Sequence, residues 1–540
     1  MTLKEFFQRR DVLLGLALSA VAIGFHLLFF THAGGLWRDE VNSVNMATLP
    51  SIRDIWVNNQ FDSFPMLWFV ILRYWHAIGI GGSDIGWRIL GLIIGMLILL
   101  AAWFNARLLN YRSPALVVAL LAMNPEIIRW GDSMRAYGLG IVLLLLLFSA
   151  VWKVVERPTP WRVIFAIVVG VLSVQCLYYN SVILLCIAVA GAIVCAASAR
   201  WRDAIIVLLI GLPAALSMIP YARTIRQVNE WSGLVRINFT FGRFWEMLSG
   251  VLSATHPLMV YFWLLVLVLA LVAGIRSRMR SRPRWMTPAQ RDLVLYGFLT
   301  LCLAIPAYIV FLFRLSYETE PWYYLALVTV VACSCEAILV QFVRRYETRL
   351  IATVALIAVA AAGVYGSGAL RARQTSVDLQ AQTLSIEADK NDLILVYPWY
   401  VGLTFNRYYT GPAQWMTVPE VKFLTYHRFD MTRKLMMDPD NALNSVMAAM
   451  RRTLSSGHKI WVVGGFPILH GNEVPPRLPP APHPKYQWFE GVYNRAWAMQ
   501  AGYFLQTHAN DMRVIPLGEP VQRYEDMALE QVSGWSGDPR

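Results

Sequence analysis

The chain has 540 residues, 57% of them hydrophobic and 15% charged, and its mean hydropathy is +0.47. That balance excludes an ordinary soluble protein and describes an integral membrane protein. The net charge of +13 invites a nucleic-acid reading, which its distribution excludes: residues 371–540 hold 17 Lys and Arg against 16 Asp and Glu, leaving 30 against 18 in the first 370.

A cationic start (Lys4, Arg9, Arg10) leads into an apolar run from Val12 to Phe30. The run is long for a signal peptide with a weak Thr31-His32-Ala33 site, so an uncleaved first helix is expected. The chain then presents Trp37-Arg38-Asp39-Glu40. Residues 40–60 carry apolar Val41, Val44, Ile52, Ile55 and Trp56 among polar neighbours, and 64–79 contain Arg73 and His76. Both predict amphipathic helices lying on the membrane rather than crossing it. The first outer loop, about 31–86, is then long and structured.

A bilayer-spanning helix needs about 20 apolar residues. Eleven stretches are candidates: 12–30, 87–108, 115–129, 137–155, 163–180, 181–199, 204–222, 258–274, 293–313, 321–341 and 350–369. Basic residues recur in alternate loops, at Arg107/Arg112, Lys153/Arg157/Arg162, Arg200/Arg202, Arg276 through Arg291 and Arg344/Arg345/Arg349. The positive-inside rule places these loops and the amino-terminus in the cytoplasm. An odd number of spans then predicts an extracytoplasmic tail. All six cysteines fall in predicted spans, where small buried hydrophobes are expected. Cys333-Ser334-Cys335 has the wrong spacing for a zinc site.

The remaining outer segments gather Asp132, Arg135, Arg223, Arg226, Arg236, Arg243, His256, Arg314, Glu318 and Glu320. Outer arginines run against the positive-inside bias. They are either solvated and paired with nearby acids or an anion site, since the guanidinium fork fits phosphate oxygens. The aromatics Trp37, Trp231, Trp322, Tyr323 and Tyr324 are interfacial anchors or ring-stacking platforms.

The tail, 371–540, predicts a small α/β domain. Asp392–Tyr397 and Lys459–Val463 read as strands, 475–484 as a proline-rich loop, and Tyr493–His508 as a final helix. Gly464-Gly465-Phe466-Pro467 is not a dinucleotide fingerprint. The division expected is 1–370 in the membrane and 371–540 outside it.

Asp39-Glu40 carries the chemistry. Acids in a first helical turn favour the dipole. They also accept a hydroxyl proton, while a leaving phosphate needs arginine or a metal to stabilise its charge.

Several motifs in order resemble the membrane-embedded C-type glycosyltransferases, specifically the bacterial relatives of protein O-mannosyltransferases and aminoarabinose lipid A transferases. They are Asp39-Glu40; Asp62-Ser-Phe-Pro-Met-Leu-Trp68; Gly86-Trp-Arg88-Ile-Leu-Gly-Leu; Asn124-Pro-Glu through Arg135-Ala-Tyr137-Gly-Leu; Tyr178-Tyr179-Asn180; and Asp392…Pro398…Tyr408-Tyr409-Thr-Gly411. Ser63-Phe64 stands where the family has a histidine before its prolines, and Ser133 where it has a glutamate. The resemblance implies an α-helical polytopic fold of about eleven spans with outer amphipathic helices and a soluble α/β domain. It implies an inverting transferase of the bacterial inner membrane. The enzyme would move a hexose or pentose from a polyprenyl-phosphate donor, without a nucleotide sugar, to a hydroxyl of a lipid, glycan or protein. Asp39 would be the base and Glu40 its neighbour. Arg135, Asp132, Arg88, Arg223, Arg226, Arg314, Tyr137, Tyr179 and Asn180 would surround the donor phosphate or substrate. Asp39, Glu40 and Asp132 would suit magnesium or manganese, or arginines would supply that charge.

Two other readings stay open. A lipid or solute transporter or flippase would use intramembrane acids such as Glu336, although no internal repeat is visible. A polymer ligase of the O-antigen type would take an undecaprenyl-diphosphate donor at a later outer loop.

Overall fold

The computed structural model describes residues 3–62, 64–278, 286–342, 367–470 and 473–537. The chain folds as two compact units. One comprises Met1–His32, Phe64–Ala222 and Phe239–Arg371; the other comprises Ala33–Ser63, Arg223–Asn238 and Ala372–Arg540. The residues that carry Asp39-Glu40 therefore belong to the same unit as the carboxy-terminal α/β region.

The first unit is helical. Among the described residues, eight helical runs are long and apolar enough to cross a membrane: Asp11–His32, Asp84–Leu108, Tyr137–Glu156, Asn180–Ala197, Trp201–Val235, Met259–Ser277, Pro288–Leu315 and Pro321–Phe342. Pro160–Cys176 is apolar but shorter. The stretch 115–129, expected to span, is broken instead. A π-helical turn, Val118–Ala122, gives way to helix Pro125–Gly131. Asn124 stands before Pro125 with extended backbone, because proline crowds the helical conformation of the residue before it. The Asn124 carboxamide oxygen accepts from the Glu126 and Ile127 amides at 2.9 and 3.3 Å, which starts a new helix. Most of the span expected at 350–369, and the basic loop residues Arg280, Arg282, Arg284, Arg344, Arg345 and Arg349, lie outside the described residues. Five cysteines are buried, as packing hydrophobes should be, but Cys302 is exposed.

Glu336 has a structural explanation. It is buried in helix Leu325–Phe342, and its Oε1 accepts from the backbone N–H groups of Leu116 and Val117 at 3.0 and 3.3 Å. It caps the short helical turn Ala115–Val117, whose first amides have no helical acceptor.

The second unit is built on a five-stranded sheet ordered β2-β1-β3-β5-β4: β1 Leu393–Val396, β2 Gln414–Thr417, β3 Ile460–Val463, β4 Asp511–Ile515 and β5 Leu529–Ser533. Strand β1 pairs in parallel with β2 and β3, while β5 pairs antiparallel with β3 and β4. Strands β1 and β3 are buried at every position, as central strands covered on both faces are. Alternate residues feed two cores. Leu393, Leu395, Ile460 and Val462 pack with Val446, Met450, Tyr493 and Trp497. Ile394, Val396, Trp461 and Val463 pack with Val377, Ala381, Leu384 and Phe405. The strands and the final helix, Glu490–His508, follow the sequence expectation; β2, β4 and β5 were not expected.

Replacing Glu336 by Ala leaves the Leu116 and Val117 amides without their acceptor and should cost about 1–3 kcal/mol of stability. Glu336→Gln keeps an acceptor oxygen and should retain most of it. Thermal unfolding in detergent checks this, and equal losses in both variants would contradict the capping role.

Candidate functional site

Within the second unit, helix Arg38–Ala47 begins at the acidic motif, with Trp37 extended at its N-cap. The two acids have different duties. Glu40 is fully buried, and its Oε2 accepts the Trp37 backbone N–H at 3.2 Å. That is one half of a capping box. Asp39 keeps a side chain 19% exposed, with Oδ1 at 3.3 Å from Arg38 Nε. Consecutive helical residues point about 100° apart, so one acid turns inward and the other does not. Asp39 is the carboxylate of the pair that solvent can reach.

Arg38 is flanked by groups that the sequence did not single out. Its guanidinium lies 4.4 Å over the Tyr400 ring, and its backbone N–H donates to Glu525 Oε2 at 2.8 Å. Burial alone would lower the Arg38 pKa, but Asp39, Tyr400 and Glu525 outweigh it and hold the cation firmly protonated. Burial raises the Glu525 pKa to about 8 against the pull of Thr404 and Arg38, and the Asp39 charge adds to the rise. Burial likewise raises Glu490 to about 7, opposed by Arg38 and Trp399. With its pKa raised to about 8, Glu525 favours its neutral form at neutral pH. Helix Arg38–Ala47 is fixed further along by Asp62, which accepts from Asn42 at 2.9 Å and Ser43 at 3.2 Å.

The first unit has buried polar groups of its own. Asp132 Oδ2 lies 2.7 Å from His26 Nδ1, and both side chains are nearly inaccessible. Burial raises the Asp132 carboxyl pKa, while His26 and Arg88 oppose the shift. Glycines make the room: a Cβ at Gly95 would meet Asp132 Oδ1 at 2.4 Å and His26 Nδ1 at 2.5 Å, and one at Gly91 would meet the Asp132 carbonyl at 1.9 Å. Arg135 is buried, with its guanidinium 4.1 Å over the Phe64 ring. Phe64 contacts Tyr137 edge-on at 5.4 Å. Tyr137 reaches Trp322, Trp322 reaches Tyr323, and Tyr323 reaches Tyr179, each at 6.3 Å between ring centres. Arg135, Tyr137 and Tyr179 thus share one aromatic cluster, and Arg88 joins Asp132.

Asn180 is fully buried and donates to Ser173 Oγ at 3.1 Å, a helix-packing bond. Arg223 and Arg226 are exposed on helix Ala222–Ser232. Arg314 is exposed in the last turn of helix Pro288–Leu315, where a cation favours the helix dipole. Of the candidate metal ligands, Glu40 caps a helix and Asp132 pairs with His26. Among the described residues, no three His, Cys, Asp or Glu side chains are grouped to bind a metal ion.

Sequence reasoning missed Glu525, Tyr400 and His26. A histidine inside the first apolar run was a visible signal. Glu525 and Tyr400 meet Arg38 only through the tertiary fold.

No protein-family model matches the chain, and no curated protein matches it. Among solved structures, it is similar to the crystal structure of ArnT from Cupriavidus metallidurans bound to undecaprenyl phosphate. The TM-score is 0.49 at 12% identity, covering 83% of this chain and 92% of that one.

Because its proton affinity rises on folding, Glu525 makes the folded unit bind more protons than the unfolded chain between the ordinary glutamate value of 4.5 and about 8. Stability should fall as pH rises through that window. Glu525→Gln should flatten the fall and exceed the wild type in stability above pH ~8, by a few kcal/mol at most. Unfolding midpoints measured across pH check this, and an unchanged slope in the variant would contradict it.

Proposed function

We propose that the chain is a membrane-embedded glycosyltransferase of the C-type class, transferring a sugar from a polyprenyl-phosphate donor to an acceptor hydroxyl. The observation that carries this reading is the division of labour at Asp39-Glu40. One acid is spent on the helix terminus, and the other is held by Arg38 with its carboxylate accessible. This pair follows directly on the first apolar helix of a polytopic protein. The ordered motifs resembling the bacterial relatives of protein O-mannosyltransferases and aminoarabinose lipid A transferases support the same reading.

In the proposed reaction the acceptor hydroxyl oxygen attacks the anomeric carbon. The bond from that carbon to the phosphate oxygen breaks, and the hydroxyl proton passes to Asp39. Polyprenyl phosphate leaves with the bonding electron pair, and the single displacement inverts the anomeric centre. The resemblance assigns the phosphate charge to arginines, among them Arg135 and Arg88, both buried in the membrane unit. No step runs through a metal. The setting proposed is the bacterial inner membrane, with the amino-terminus cytoplasmic and the α/β domain outside. The transporter reading loses its chief residue, because Glu336 is accounted for by capping.

Replacing Asp39 by Asn should lower transfer by about 10²–10⁴-fold while thermal unfolding stays near that of the wild type. The assay supplies the purified protein in nanodiscs with the polyprenyl-phosphate sugar that accumulates in cells lacking it. Wild-type turnover in the Asn variant would remove Asp39 from the mechanism.

A further inference from the structure

The four residues that lead into Asp39 are held in an unusual way. Each of four consecutive backbone N–H groups donates to a side chain. Gly35 donates to Asp378 Oδ2 at 3.2 Å, Leu36 to Tyr408 Oη at 2.7 Å, Trp37 to Glu40 Oε2 at 3.2 Å, and Arg38 to Glu525 Oε2 at 2.8 Å. Upstream, the Ala33 carbonyl accepts from the Gln374 amide at 2.8 Å. The approach is close enough to require glycine: Gly34 has φ +65°, and a Cβ at Gly35 would meet Asp378 Oδ2 at 2.7 Å.

Three of the four acceptors are buried carboxyl groups. Burying carboxyl groups costs more than packing apolar side chains at the same places. Stability alone does not account for three of them on one short segment. Fixing the segment's position does. Glu525 is itself anchored, since its carbonyl accepts from the Ser376 amide at 3.1 Å and the Ser376 hydroxyl at 3.2 Å. The first amides of a helix have no acceptor in the helix, and Glu525 supplies the one that Arg38 needs. Tyr400 closes the arrangement by lying under the Arg38 guanidinium, whose Nε faces Asp39.

We infer that Glu525, together with Tyr400, is a positioning residue: it fixes the Arg38 main chain, and through the Arg38 guanidinium it sets the carboxylate of Asp39. The α/β region is then part of the catalytic apparatus rather than an accessory. This inference rests on the proposed role of Asp39 as base.

The test uses full-length protein in nanodiscs. Glu525→Ala should reduce kcat by roughly 10–100-fold, as misplacing a reacting group does, with KM for the lipid-linked donor changed less than about 3-fold. Glu525→Gln keeps the acceptor oxygen and should recover most of the rate. Tyr400→Leu should lower kcat in the same way, and it serves if Glu525→Ala fails to fold. Hydrogen exchange supplies a readout independent of activity: the amides of 35–41 should exchange faster in Glu525→Ala and at the wild-type rate in Glu525→Gln. Wild-type kcat in both Glu525→Ala and Tyr400→Leu, equal losses in Glu525→Ala and Glu525→Gln, or unchanged exchange would each overturn the inference. A wild-type protein that transfers no sugar would instead overturn the function proposed above, while the exchange data would still decide whether Glu525 holds the segment.

Discussion

The backbone of residues 35–38 is the constraint on which the proposed site depends. A chain leaving an apolar helix has no hydrogen-bonding partners of its own, and a helix that starts there exposes further unpaired amides. Here those amides are satisfied by side chains drawn from Asp378, Tyr408, Glu40 and Glu525. The helix start is thereby fixed in register, and Asp39 becomes the residue of its first turn with an accessible carboxylate.

The same logic of satisfying buried polar groups recurs in the membrane unit. Glu336 completes a broken helix, and Asn124 begins the next one. Asp132 and His26 meet in space cleared by Gly95. Each ionisable group that looked functional in the sequence therefore had to be weighed against a structural duty. Glu40 and Glu336 carry such duties visibly, and Asp39 stands out by contrast.

Much of the architecture was legible because apolar runs and sheet strands leave strong one-dimensional signals. The long helices and the central strands fall where length and pattern placed them. The stretch 115–129 was misread because composition alone does not weigh Asn124-Pro125, which ends a helix whatever its apolarity. Strand β4 escaped because it lies at a sheet edge with a largely exposed pattern. The site was half legible. Asp39-Glu40 was conspicuous as an acid pair beside an apolar run, but sequence treats neighbours as equivalent, and only helical geometry separates the inward Glu40 from Asp39. Glu525 is 487 residues from Arg38, and no local pattern announces that contact.

The central claim is that Asp39 accepts the proton of an attacking hydroxyl in a single displacement. The most direct measurement is the anomeric configuration of the product, read by NMR, against that of the lipid-linked donor supplied to the purified protein. Inversion is the result this mechanism predicts. Retention would require a covalent sugar intermediate on the protein and would contradict it.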